Sequence, residues 1–425
     1  MGGKRKSRLR TAAAALAVAA FAGIAVFVMF KFASNAMNRM FPPQSAASGP
    51  AAASEGSSAP APRSSAEPAE AGSASARQTA GATLSGPLGA YEASARRKLS
   101  GMTLPEKIGQ VLLVESPSSG AVSVIDAIRP GGWCLSEKDF KGKTAAQVKK
   151  TLKSYQSSSK IPMILCCDEE GGTVVRVSSN RALSPQKFRS PQQVFAAGGF
   201  DAVASDTLKK ARLLKSLGVN VNLAPVCDIS TSPKDFIHAR SFGQNAQQTS
   251  KFVTVSVQAY SQGGVGCVLK HFPGYGNNAD THTGSAKDTR SFQTFQSADF
   301  LPFEAGIRAG AGCVMVSHNV VECMDALRPA SLSPQVHDIL RTKLGFSGVV
   351  VTDSLGMKAV TDFSKGEDPC VQAFLAGNDM LLTPDGPSGY RALSAAVQKG
   401  IIPRERLDDS VLRILAWKMA LGLTG

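Results

Sequence analysis

The chain has 425 residues, 43% hydrophobic and 19% charged, which suits two or three average domains or one α/β barrel with an extension. The formal charge of +15 is uneven: Lys4, Arg5, Lys6, Arg8, Arg10, Lys31 and Arg39 stand in residues 1–40 without an acid, leaving +8 for the rest. With two Trp, five Tyr and no basic run interleaved with aromatics, nucleic acid is not expected as a partner, whereas an anionic wall or membrane surface suits the residual charge.

Residues 1–10 form a basic tip, read as cytoplasmic. Residues 11–30, TAAAALAVAAFAGIAVFVMF, carry no charge and as a helix would reach about 30 Å, the thickness of a bilayer's hydrocarbon core. Basic residues before an apolar span keep that end in the cytoplasm, so the remainder is expected outside the membrane. A retained single-pass anchor fits the length of the run. A cleaved signal peptide is the competing reading, because Ser34-Asn35-Ala36 offers small residues at cleavage spacing, and it would leave the protein secreted. Residues 31–87, rich in Ala, Ser, Pro and Gly after residue 40, have too few large apolar side chains to offset the entropy of ordering and read as a disordered tether.

The folded domain is expected over residues 88–425. Thr103-Leu104-Pro105-Glu106 is a capping box with Pro in the first turn. Eight short apolar runs follow: 110–115, 132–135, 162–168, 219–228, 265–271, 313–318, 349–353 and 379–383. Helical spacing fills 144–157, 206–217, 247–262, 300–309 and 334–344. The runs lack polar alternation, as strands buried on both faces do. Eight such strands alternating with helices predict a single (β/α)8 barrel of the TIM type. A doubly wound open sheet is the alternative, but no G-x-G-x-x-G follows the first run.

Cys166 and Cys167 are adjacent and no C-x-x-C occurs, so the eight cysteines form no zinc pattern. Cys134, Cys166, Cys167, Cys227, Cys267 and Cys313 fall in apolar runs and read as small buried hydrophobes. Cys323 and Cys370 lie in more polar contexts.

A barrel carries its chemistry at the C-terminal ends of its strands, and polar residues cluster at the ends of these runs. Asp168-Glu169-Glu170 ends the third, Asp228 the fourth, Lys270-His271 the fifth, Ser317-His318-Asn319 the sixth and Asp353 the seventh. A strand holds its last side chain rigidly, which suits Asp353 as a nucleophile; an Asp capping the next helix is the plain alternative. Asp280 and His282 follow the fifth run, and a carboxylate two residues from an imidazole can orient and tune an acid/base group. A solvated loop histidine is the plain alternative there. Asp168 can pair with sugar hydroxyls, Arg176 and Arg240 can bind hydroxyls or an acetamido carbonyl, and Lys270 and His271 can line the pocket base. A metal held by His271, Asp280 and His282 matches no standard spacing; no metal and no cofactor are expected.

Five motifs in order carry a resemblance. Lys270–Gly276 with Asp280-Thr281-His282 is similar to a K-H-F-P-G-H-G…D-S-H signature. Asp168–Arg176 is similar to D-x-E-G-G-x-x-x-R, and Asn222–Asp228 to N-x-A-P-V-x-D. Val350–Asp353 matches V-x-[TS]-D, and Ala376–Leu381 matches A-G-N-D-M-L. Over about residues 95–424 the chain resembles the β-N-acetylglucosaminidases of glycoside hydrolase family 3. Tyr275 stands in place of the motif's second histidine, Thr281 in place of serine, Glu169 where glutamine is common and Thr173 where arginine is common.

The resemblance implies a retaining mechanism. Asp353 would form a covalent glycosyl-enzyme, and His282 with Asp280 would protonate the leaving oxygen and then activate water, in place of the usual second carboxylate. Asp168, Arg176, Arg240, Lys270 and His271 would hold a terminal N-acetylglucosamine. The implied partner is carbohydrate, in the form of cell-wall glycans and muropeptides; a monomer is expected, held at the membrane through residues 11–30 or secreted if that leader is cleaved. Family 3 β-glucosidases usually add a second domain that supplies a glutamate acid; with the chain ending at Gly425, the acid is expected from the barrel itself. A hydrolase for another sugar, or a silent wall-binding module, are the competing functions.

Overall fold

The computed structural model describes residues 82–281, 283–364 and 366–424. The expected basic tip, the membrane segment 11–30 and the tether up to residue 81 lie outside the described residues. Among the described residues no helix is long and apolar enough to cross a membrane.

Eight parallel strands form the centre: β1 Leu112–Glu115, β2 Gly132–Leu135, β3 Ile164–Cys167, β4 Val221–Asn222, β5 Gly266–Phe272, β6 Cys313–Val316, β7 Val349–Thr352 and β8 Leu381–Thr383. Their order is β8-β1-β2-β3-β4-β5-β6-β7. The gap between β7 and β8 is spanned by a parallel bridge from Val351 to Met380 and by the Met380 N–H donating to the Val350 carbonyl at 3.0 Å. The sheet therefore comes round on itself as a nearly closed barrel whose strand residues are almost all buried.

The strands stand where the apolar runs predict them, with one physical exception. Regular pairing in the fourth run covers two residues of the expected ten. Pro225 has no N–H to donate, and pairing resumes only at a single bridge between Val226 and Lys270. That early release frees residues 227–243 to bend over the mouth of the barrel.

The outer helices follow from caps. The Thr103 box opens Leu104–Gln110 as expected. Thr144 caps α1, Ala145–Ser157, with its hydroxyl accepting from the Gln147 amide. α2 runs over Pro191–Leu217, starting fifteen residues before the expected position because Ser190 and Gln193 form a second capping box; it bends where Gly199 takes φ 62°. α3 spans Ala246–Gly263, α4 Phe300–Arg308 and α5 Arg404–Ala420. The 334–344 helix begins as Pro334–Asp338 and widens into a π-type turn over Ile339–Lys343.

Two expectations need correction. Packing begins before Leu88: Ala82 and Leu84 are buried, held by the Ala82 N–H donating to Asp409 and the Leu84 N–H donating to Glu92, each at 2.8 Å. Cys370, expected in a polar context, is buried, because the helix Pro369–Ala376 turns it inward beneath Gly389. All eight cysteines are free thiols, and Cys323 is the exposed one.

Candidate active site

At the C-terminal mouth of the barrel, β3, β4, β5 and β7 bring four acids and three cations together. Lys270 near the end of β5 is 2% exposed, yet its ammonium lies 2.7 Å from Asp168 Oδ1 and 2.6 Å from Glu170 Oε1. Burial alone would discharge it; the two carboxylates outweigh burial and raise its pKa. Arg240, on the segment after β4, grips Glu170 with two parallel bonds, Nε to Oε2 at 3.0 Å and Nη2 to Oε1 at 2.7 Å. Burial opposes the charge on Glu170, but Lys270 and Arg240 overcome it and hold the carboxyl far below the usual range. Arg176 completes the chain of charges at 3.6 Å from Asp168 Oδ2.

Two neighbours fix this cluster in place. Glu169 turns the opposite way from Asp168 and Glu170, and accepts from the amides of Arg176, Val177 and Ser178 and from the Ser178 hydroxyl. It pins the turn that carries its neighbours. Asp228 holds His271, with Oδ2 at 2.7 Å from Nδ1, and also takes the His271 and Tyr275 amides. On the other side of the ring, Arg240 Nη2 lies 3.1 Å from Nε2. Both ring nitrogens of His271 are therefore engaged, and a cation placed at Nε2 would have to displace a guanidinium.

Asp353 follows β7 and is partly exposed at the mouth. Its Oδ1 accepts from the Ser354 amide at 2.8 Å. Burial works against its ionisation, but His271, His318, the Ser354 amide and Lys270 together hold its pKa below the usual carboxylate value. The amide and the ammonium act whatever the charge of the two rings. His318, at the end of β6, is fully buried; Nε2 donates to the Ser354 carbonyl at 3.0 Å and Nδ1 faces the Ser331 hydroxyl at 2.7 Å. The Ser354 hydroxyl donates to Glu115 at the end of β1 at 2.6 Å. The backbone that presents Asp353 is therefore clamped from β1 and β6 at once.

Of the residues singled out in the sequence, Asp168, Arg176, Arg240, Lys270 and His271 form one connected network, and Asp353 sits within its field. Asp280 lies on the segment after β5, where its carbonyl accepts from the Thr283 amide at 3.1 Å. His282 lies outside the described residues. Arg290 anchors that segment's return, bonding Asp288, Asp299 and the Gly274 carbonyl. Among the described residues no group of three or more side chains is arranged to hold a metal.

Sequence reasoning gave no role to Glu170, Asp228, His318 or Tyr275. The first three do stand at strand ends, and that was the available signal. Their partners lie far off in sequence, as Arg240 does from Glu170, so no local pattern announces the pairing.

A sequence profile described as "Glycosyl hydrolase family 3 N terminal domain" matches residues 103–417. The chain is 32% identical over 293 residues to "Beta-hexosaminidase A" of Pseudoalteromonas piscicida, covering 63% of this chain and 49% of that protein. It is 31% identical over 300 residues to "Beta-N-acetylglucosaminidase/beta-glucosidase" of Cellulomonas fimi, covering 66% and 51%. The chain thus spans about half the length of these two curated relatives. Among solved structures, a glycoside hydrolase family 3 β-N-acetylglucosaminidase from Paenibacillus sp. str. FPU-7 superposes with a TM-score of 0.71 at 30% identity, over 76% of this chain and 64% of that one.

Proposed function

The chain belongs to glycosyl hydrolase family 3, and on that premise we propose that it is a retaining, exo-acting β-N-acetylglucosaminidase. Its substrates are cell-wall glycans and muropeptides that end in N-acetylglucosamine. The observation that carries the reading is the placement of Asp353: a carboxylate held ionised at the barrel mouth, its backbone clamped by Glu115 and His318, beside the buried Lys270–Glu170–Arg240 cluster. The names of these relatives support the choice of sugar.

In this reading Asp168, Arg176, Arg240, Lys270 and His271 hold the terminal ring. Asp168, Arg176 and the remaining Lys270 proton have hydrogen-bonding capacity to offer. Asp353 attacks the anomeric carbon as the bond to the leaving oxygen breaks, and that oxygen takes a proton from His282, which Asp280 orients. Water then gives a proton back to His282 and attacks the same carbon, and Asp353 is released. Two inversions restore the starting configuration. An imidazole does not repel the anionic nucleophile as a second carboxylate would. Residues 11–30 would anchor the enzyme with its barrel outside the membrane, a placement supported by the sequence alone.

A panel of nitrophenyl glycosides tests the sugar: the N-acetylglucosaminide is cleaved and the glucoside is not. Cleavage of both alike would favour the broader activity named for the Cellulomonas fimi relative. Trapping with a fluorinated N-acetylglucosaminyl fluoride, followed by peptide mapping, should place the label on Asp353; a label elsewhere removes the assignment.

A further inference from the structure

Two places where this chain departs from its family's motif, Tyr275 and Thr281, touch each other. The Tyr275 hydroxyl and Thr281 Oγ1 are 2.5 Å apart, and both residues are buried, at 2% and 0% exposure. Tyr275 is fixed at its other end. Its amide donates to Asp228 Oδ1 at 2.7 Å, its ring meets the His271 ring edge-on at 5.2 Å, and Phe236 covers it at 5.9 Å. Burial, and after it the charge of Asp353, push the phenol's pKa up, so it stays protonated and can serve as a hydrogen-bonding hydroxyl throughout the neutral range. Thr281 stands between Asp280 and His282 in the chain, and its carbonyl accepts from the Ala359 amide at 3.4 Å, on the segment that follows Asp353.

We propose that Tyr275 is a positioning residue for the acid/base step, acting through Thr281 to fix the Asp280–Thr281 backbone against the Asp228–His271 pair. The inference rests on the reading of Asp280 and His282 as the proton-transfer pair. One residue thereby ties the sugar-holding network to the segment that supplies the proton. The tie needs a hydroxyl on both sides: phenylalanine at 275 keeps the ring contacts and loses the bond, and valine at 281 keeps the volume and loses it from the other side. Serine at 281 keeps the bond.

The test uses the full chain and two N-acetylglucosaminides, one with an activated dinitrophenyl leaving group and one with a poor, alkyl-like leaving group. Protonation matters only for the second. Tyr275→Phe and Thr281→Val should each lower kcat/KM about fivefold or more for the poor leaving group and less than about twofold for the activated one. The double variant should be no worse than either single, because both remove the same bond. Thr281→Ser should restore the wild-type dependence. Equal slowing of both substrates, additive losses, or wild-type rates for the poor leaving group would overturn the role. If Tyr275→Phe does not fold, the contrast between Thr281→Val and Thr281→Ser decides the matter. A wild-type chain that cleaves neither substrate would instead remove the functional reading, and the positioning role with it.

Discussion

The barrel carries a buried ionic cluster at each end, and the two are built differently. Beneath the floor, Asp379 precedes β8 and is fully buried among Arg341 at 2.6 Å, Arg413 at 3.2 Å and Arg406 at 3.6 Å. It also accepts from the Val350 amide and the Ser410 hydroxyl. Three cations around one anion leave an excess of positive charge, and main-chain carbonyls absorb it. Arg341 donates to Phe346 and Gly348, Arg406 to Asn378 and Phe374, and Arg413 to Asp409. At the mouth the counts of acids and cations are closer to even, but the partners are side chains and several face outward. The Asp168 side chain is 21% exposed and that of Arg176 is 34% exposed. A cluster whose bonds end on backbone locks the chain; one that retains exposed side-chain groups can exchange them for a ligand's hydroxyls. The family motif that contains Asp379 is therefore structural here, although in sequence it reads as one more acid beside a strand.

Substitutions at the two ends should separate these roles. Asp353→Ala should lower kcat by about 10³-fold or more, a barrier increase of about 4 kcal/mol, with the urea unfolding midpoint close to that of the parent. Asp379→Asn should do the reverse. It leaves three buried guanidinium groups without an anion, a loss of about 3–5 kcal/mol in urea unfolding, while the turnover of whatever remains folded stays at the parental value. Burial raises the Asp379 pKa and the three arginines pull it down to about 2. Its contribution is then present above the ordinary carboxylate range and is lost as pH falls towards 2, so the parent should unfold in strong acid through this group among others. A lost turnover with full stability in Asp379→Asn would erase the contrast.

Lys270→Met probes the mouth more finely. Removing the ammonium leaves Asp168 and Glu170 facing each other and takes one of the charges that keeps Asp353 ionised. Its kcat/KM should fall by about 10²-fold, the scale of a charged hydrogen bond of about 3 kcal/mol. The acid limb of kcat/KM should also move to higher pH, because Asp353 would then take up a proton earlier. A pH profile that keeps the parental acid limb would separate Lys270 from the field at Asp353.

Much of this architecture is legible in the sequence, for reasons that differ by element. Strands such as 132–135 and 349–352 are apolar on both faces, so composition alone marks them. The start of Leu104–Gln110 is written in one capping box. The fourth strand is misjudged because Pro225 removes a donor from within an apolar run, and periodicity does not register that. Asp353, Lys270 and His271 emerge from the rule that chemistry sits at strand ends. Glu170 and Asp228 satisfy the same rule, yet their roles appear only when Arg240 and His271 come to meet them. Tyr275 gives the sharpest lesson. In sequence it is a substitution in a motif, and its partner Thr281 is a second, separate one; the fold makes them one contact.

The smallest expected effect concerns an isolated charge on the floor side. Lys418 on α5 is fully buried with its ammonium 2.6 Å from the Gln110 side-chain oxygen, and among the described residues no carboxylate pairs with it. Burial, with a minor contribution from Lys98, pushes its pKa down to about 7. The unfolded chain would hold this proton up to the ordinary lysine range, so between the two values the unfolded state binds more protons and stability rises with pH. The full penalty applies below about pH 7. Lys418→Met keeps the volume and removes the penalty, but it leaves the Gln110 oxygen without its donor at a cost of about 1 kcal/mol. Near pH 6 the burial penalty outweighs that cost, and the variant should be more stable by roughly 1–3 kcal/mol in urea unfolding. Near pH 10 little penalty remains, and the advantage should vanish or change sign. A stability difference that stays constant across this range would mean that Lys418 keeps its proton in the folded barrel, and that the floor tolerates an unanswered charge as the mouth does not.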